Sequence, residues 1–385
     1  MKTTTTTLTL HFPFILFFFF FFLSISFPTP SFSQSDTYLI PLNPRLDKAF
    51  IALQAFKHSI TSDPNNFTGD WCGPHVCNYT GVYCTHALDD PDIYTVAGID
   101  LNHANISGEL PEDLGLLTDL ALFHLNSNQF CGTLPESFAD LKLLFELDVS
   151  NNLLSGPFPS VVLKLPSLKY LDLRYNSYHG DVPKDVFNLK LDAFFINNNN
   201  FTFTLPDNIG NSPVSVLVAA SNQLNGCLPR SIANMSKTLN EIVIQNSNLS
   251  SCIPPEYGEL VNLTVFDVAF NSLVGPLPET FGKLKKLEQL DVAHNKLSGD
   301  IPESICELPR LKNFTFSYNY FCGESEKCSK IRRRDDRENC IPYRPDQRSE
   351  EECSAFLEKP VHCDAFSCMA TSPPPPTPPP TAPPV

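Results

Sequence analysis

Apolar positions recur along most of this chain at one spacing, L-x-x-L-x-L-x-x-N-x-L-x-G-x-x-P, clearest in Leu144–Pro159, Leu263–Pro278 and Leu287–Pro302. The position usually held by Asn falls at Ala104, Asn128, Asn152, Asn176, Asn199, Asn222, Ser247, Asn271, Asn295 and Asn319, in steps of 23 to 25 residues. Within each copy the alternating L-x-L predicts a short strand with one face turned to a core. A single copy cannot bury that face alone, so the copies are expected to stack, strand beside parallel strand. The recurrent Asn sits where the chain leaves the strand, where its amide is expected to satisfy backbone groups that no ladder reaches.

This is the leucine-rich repeat signature. The fold class it predicts is α/β, a solenoid of about ten repeats with short parallel strands, a helical N-terminal cap and a Cys-rich C-terminal cap. Five segments are expected: an export signal over 1–33, the N-terminal cap over 34–95, repeats over 96–323, a Cys-rich hinge or cap over 324–370 and a Pro-rich tail over 371–385. Lys2 and the apolar stretch from Phe12 to Leu23, with six consecutive Phe, predict the signal, and Ser31 and Ser33 suit cleavage before Gln34. That stretch is short for a bilayer span, and no later segment approaches one. In the cap, Leu46, Phe50, Leu53, Ala55 and Phe56 are spaced for a helix from Pro44 to Ile60. The tail SPPPPTPPPTAPPV is expected to be extended polyproline II.

Thirteen cysteines follow the signal and are expected to form disulfides rather than metal sites, since no CxxC pair supports zinc. No metal and no cofactor is expected. Cys77–Cys84, flanking a short loop, and Cys227–Cys252, at matching places in successive repeats, are the expected pairs. Cys322 and Cys328, read as part of the C-terminal cover, are also expected to be disulfide-bonded, with partners left open. The odd count leaves a thiol over, with Cys72 the first candidate. A net charge of −15 argues against nucleic acid and for basic partners. No G-x-S-x-G, H-E-x-x-H, P-loop or G-x-G-x-x-G is present, so no enzyme is expected.

Several stretches together resemble the plant leucine-rich repeat extensin family: NPRLDKAFIALQAFK at 43–57, VCNYTGVYC at 76–84, the run at 96–135, SPVSVLVAASNQLNGCLP at 212–229 and NCIPYRPDQRS at 339–349. The tail departs from it, with one Ser-Pro-Pro-Pro-Pro block and no Tyr for cross-linking. The resemblance implies a secreted wall protein that binds rapid alkalinization factor peptides, which are basic and cysteine-rich, and so controls wall expansion. It also implies association with pectin, a link to malectin-like receptor kinases, and homodimers. The rival readings are an inhibitor of secreted polygalacturonases and a structural wall glycoprotein.

Strand alternation predicts a concave ligand face made of Glu146, Asp148, Asp172, Arg174, Tyr175, Phe195, Glu241, Asp267, Phe270, Asp291 and Tyr318, with Asp100, His103, His124, His294 and the valines 216, 218, 243 and 265 beside them. Seven carboxylates there face one arginine, Arg174. Asp in the middle of L-D-L also has a bland reading as a turn or solubility residue. Arg332, Arg333 and Arg334 are read either as a contact for pectin carboxylates or as a solvated loop paired with Asp335 and Asp336. Glycan acceptors are expected at Asn66, Asn78, Asn105, Asn200, Asn234, Asn248 and Asn262. The sequon at Asn313 falls on the ligand face, where a glycan would obstruct binding.

Overall fold

The computed structural model describes residues 43–359, 361 and 363. The expected signal and the Pro-rich tail lie outside them. Helix Pro44–Ser59 opens the described chain, with the Asn43 side chain accepting from the backbone N–H of Arg45 and Leu46. This satisfies donors that a helix start otherwise leaves free. Its buried face includes Leu53 and Phe56, and the Phe56 ring lies 6.0, 6.3 and 5.6 Å from those of Trp71, Phe123 and Phe130. Trp71 is fully buried and donates from its indole N–H to the Thr80 carbonyl. The cap strand Val82–His86 pairs antiparallel with Tyr94–Asp100 and so covers the first edge of the repeat array.

Beyond it the strands run in parallel register, 122–124, 146–148, 170–172, 193–195, 216–218, 241–243, 265–267, 289–291, 313–315 and 333–335, completing a sheet of twelve. The middle residue of each of these strands from Phe123 to Phe314 is buried in a single core. The expected Asn ladder is present. Asn152 donates to the carbonyls of Leu125, Val149 and Ser150 at 2.8, 3.2 and 3.0 Å and accepts from the Phe130 N–H at 3.0 Å. Asn128, Asn176, Asn199, Asn222, Asn271, Asn295 and Asn319 make equivalent donations. The ladder does not stop at 319, for Asn339 takes the same role, bonded to Phe316 and Phe321.

That last coil has Arg334 at the core-facing strand position, opposite Phe314. Its guanidinium bonds Glu324 and Asp336, and Glu324, whose side chain is only 2% exposed, also takes Arg344. An inward charge pair thus closes the end of the stack, a way of making a final strand unfit for further pairing. Arg334 pairs with Asp336, as in the second of the two readings of this run, but Arg334 lies on a strand that belongs to the solenoid and not in a loop. Arg332 and Arg333 are exposed and make no ion pair among the described residues.

A second set of short strands lines the other side of the coils in two separate sheets, one ending at 200–201 and the other starting at 274–275. The returning C-terminal segment docks at this interruption. Cys252 bonds Cys363, which corrects the expected Cys227–Cys252 pair; Cys227 is itself disulfide-bonded. Matching repeat positions suggested a bridge between neighbours, whereas the chain brings a cysteine back from 111 residues away. Cys77–Cys84 is as expected. Cys328 bonds Cys306 and Cys340 bonds Cys353. Cys322 is therefore a free thiol, contrary to expectation, and Cys72 shares that state with Cys131 and Cys322.

Candidate functional site on the main sheet

Each three-residue strand of the main sheet turns its first and third residues away from the core, and parallel register lines these up across the array. One column reads Glu146, Tyr170, Ala193, Val216, Glu241, Val265, Gln289, Asn313 and Arg333; the other reads Asp148, Asp172, Phe195, Val218, Val243, Asp267, Asp291, Thr315 and Asp335. The columns bring together Glu146, Asp148, Asp172, Phe195, Glu241, Asp267 and Asp291, whereas Arg174, Tyr175, Phe270 and Tyr318 lie beyond the strand ends.

Their environments differ. Asp172 is fully buried, 3.0 Å from the Arg174 Nε and 3.2 Å from the Tyr170 hydroxyl. Burial and then the neighbouring Asp148 push its pKa up to about 7, with Arg174 opposing. Arg174 lies 5.0 Å from the Phe195 ring centre, and Tyr170 packs on the same ring at 5.5 Å. Tyr170 was missed from sequence, although its place before Leu171 is a face position by simple alternation. Asp172 is therefore the centre of a closed cluster and less available to a ligand than Glu146, which sits 3.1 Å from His124, or Glu241. Burial pushes Asp267 up to about 6, against the Ala269 N–H that it accepts, and raises Asp291 as well.

Along the strand exits runs one residue per coil with positive φ, among them Tyr175, Phe270, His294 and Tyr318 at 53°, 53°, 51° and 57°. Side chains with a Cβ seldom adopt that conformation, and for bulky ones it is costly. Three of them stack: His294 lies between Phe270 and Tyr318, with ring centres 4.1 Å apart on both sides. Tyr175 and Phe270 remain half exposed, at 52% each. The result is a flat aromatic ledge beside Asp267 and Asp291.

Of the sequon residues, Asn66, Asn78, Asn105, Asn200, Asn234 and Asn248 are exposed, and none is on the main sheet. Asn262 is half-buried, with its amide donating to the Ser236 and Lys237 carbonyls. Asn313 is on the face, as expected.

The chain matches the Leucine rich repeat family model over 118–177 and 261–321, and the Leucine rich repeat N-terminal domain model over 48–85. It is 69% identical to leucine-rich repeat extensin-like protein 6 of Arabidopsis thaliana over 87% of this chain and 72% of that protein. The chain belongs to the leucine-rich repeat extensin-like family. Within that family it is 60% identical to protein 4 over 86% of its own length and 67% of that relative's, and 62% identical to protein 3, of which it spans 44%. Among solved structures, it is similar to the Arabidopsis receptor kinase HAESA ectodomain in complex with the IDA peptide hormone, with 27% identity, a TM-score of 0.68, and coverage of 76% of this chain and 50% of that one. It also resembles the plant peptide hormone receptor RGFR1 in complex with RGF2, with 26% identity, a TM-score of 0.55, and coverage of 64% and 44%. No helix among the described residues of this family member is long and apolar enough to cross a membrane.

Proposed function

We propose that this family member is an extracellular cell-wall protein that binds basic cysteine-rich signalling peptides of the rapid alkalinization factor class on the main sheet face and thereby modulates wall growth. The observation that carries this reading is the register that puts Glu146, Asp148, Glu241, Asp267 and Asp291 on one rigid surface. A cationic peptide gains from such a surface both steering and complementarity. Exposed Tyr175 and Phe270 are suited to anchor it, since aromatic side chains on rigid elements dominate interface energetics. Relatives named as extensin-like and peptide-bound ectodomains of the same fold support the reading. Pectin, a malectin-like receptor kinase and a second copy of the chain are further partners on this proposal.

Titration of the purified chain against a panel of folded basic cysteine-rich peptides tests it. At least one is expected to bind, with Glu146→Lys and Glu241→Lys each weakening it about tenfold, in line with like-charge contacts. Binding to none of the panel overturns the proposal, and binding indifferent to both reversals removes the face from it.

A further inference from the structure

The last strand of the main sheet, Arg333–Asp335, brings guanidinium groups to one end of a face on which the other charged column residues are all acidic. The neighbouring arginines are engaged: Arg334 with Glu324 and Asp336, Arg337 with Asp335 through two bonds of 2.9 Å, and Arg348 with the Asn319 carbonyl. Arg332 and Arg333 are exposed and form no ion pair among the described residues. Both line a cavity of about 540 Å³ together with Gln289, Asn313, Asp267 and Asp291. Asp335, the carboxylate nearest in sequence, is taken up by Arg337 and does not neutralise them. Across the strands the column runs Glu241, Val265, Gln289, Asn313, Arg333, from an anion through two amides to a cation.

We propose that Arg332 and Arg333 bind the C-terminal carboxylate of a peptide that lies across the strands, with its cationic side chains toward Glu241 and Glu146. This deepens the peptide-binding reading and rests on it. Guanidinium groups match a carboxylate by paired hydrogen bonds, and the primary amides of Gln289 and Asn313 both donate and accept, as a peptide backbone requires. Four strand steps separate Arg333 from Glu241, roughly 19 Å or about six extended residues, and eight separate it from Glu146, roughly 38 Å. A ligand with a cationic body and one anionic end fits this order of charges. An anionic polysaccharide fits it poorly, because the same column leads it onto Glu241.

The test uses the full chain and the tightest peptide of the panel, synthesised with a free carboxylate and as the C-terminal amide. On the unaltered protein the amide is expected to bind about tenfold more weakly, as for loss of a charge-assisted contact. In Arg332→Ala/Arg333→Ala the two forms are expected to bind alike, with the amide's affinity close to that on the unaltered protein. Arg332→Gln/Arg333→Gln repeats the measurement should the alanine variant not fold. Equal affinity of the two forms for the unaltered protein overturns this site while leaving the peptide reading intact. Failure of both forms to bind overturns both. Capture of an oligogalacturonide that depends on the two arginines, with the peptide forms indistinguishable, reassigns the cavity to a polysaccharide and also overturns the proposal.

Discussion

Each ladder Asn acts as a four-way joint between coils. Asn152 makes three donations and one acceptance with backbone groups of its own and neighbouring coils, and it is buried. Asn152→Ala removes all of these and leaves the backbone groups without water, at a cost of about 2–4 kcal/mol; chemical denaturation is the check, and a loss below about 1 kcal/mol would show that the ladder is decorative. Asp267 runs the other way. Its pKa is raised by burial to about 6, above the ordinary value of an unfolded chain, so the fold prefers the protonated acid. Its contribution is fully present below about pH 4 and is lost as pH rises through about 6. In Asp267→Asn, whose amide oxygen still reaches the Ala269 N–H, stability at pH 7 is expected to rise by on the order of 1–3 kcal/mol relative to the unaltered protein, and the difference to vanish at pH 4. Melting curves at the two pH values decide it, and a pH-independent difference would contradict the assigned cause.

At the scale of elements, the coils and their caps were legible wherever burial follows apolar residues, and illegible where it does not. Ten coils follow from L-x-L and Asn. The eleventh escapes because its core-facing residue is Arg334, acceptable only with Glu324 and Asp336 beside it. For the same reason the spacing of apolar residues does not put Arg333 on the face, where strand register places it. The columns of the site were visible from alternation, but the withdrawal of Asp172 into a cluster with Arg174 and Tyr170 depends on packing against Phe195 that spacing does not encode. Cysteine pairing was legible only for the local Cys77–Cys84 loop. Cys252–Cys363 depends on a returning segment, and Gly275, with φ of 77°, leaves the room for it: a Cβ there would stand 2.7 Å from the Cys363 sulfur. Replacing both cysteines by Ser is expected to cost about 2–5 kcal/mol, as for a bridge closing a long loop. It should also expose the hinge near 359–363 to protease while the repeats stay resistant. Equal cleavage rates in the variant and the unaltered chain would show that the bridge does not hold that segment.

For the molecule as a whole, charge is unevenly distributed. The total is −15, yet the stretch from Glu324 to the end holds 9 basic and 11 acidic residues, so most of the excess lies in the cap and repeats. Attraction between such a body and a cationic peptide acts before contact and is screened beyond about 10 Å at 0.1 M salt. The association rate is therefore expected to fall about tenfold or more between 0.05 and 0.5 M salt, with a smaller change in dissociation. Acid should act in the same direction. Below about pH 6 Asp267 gains a proton, as Asp172 does below about 7, and the face loses negative charge. Association at pH 5 is thus expected to be slower than at pH 7 in low salt, and the two rates to converge at 0.5 M, where screening already removes the attraction. Stopped-flow or surface-based rate measurements over this two-by-two set separate the causes. A rate that falls with acid equally at both salt concentrations would point to a local contact with a titrating group, not to the field of the face.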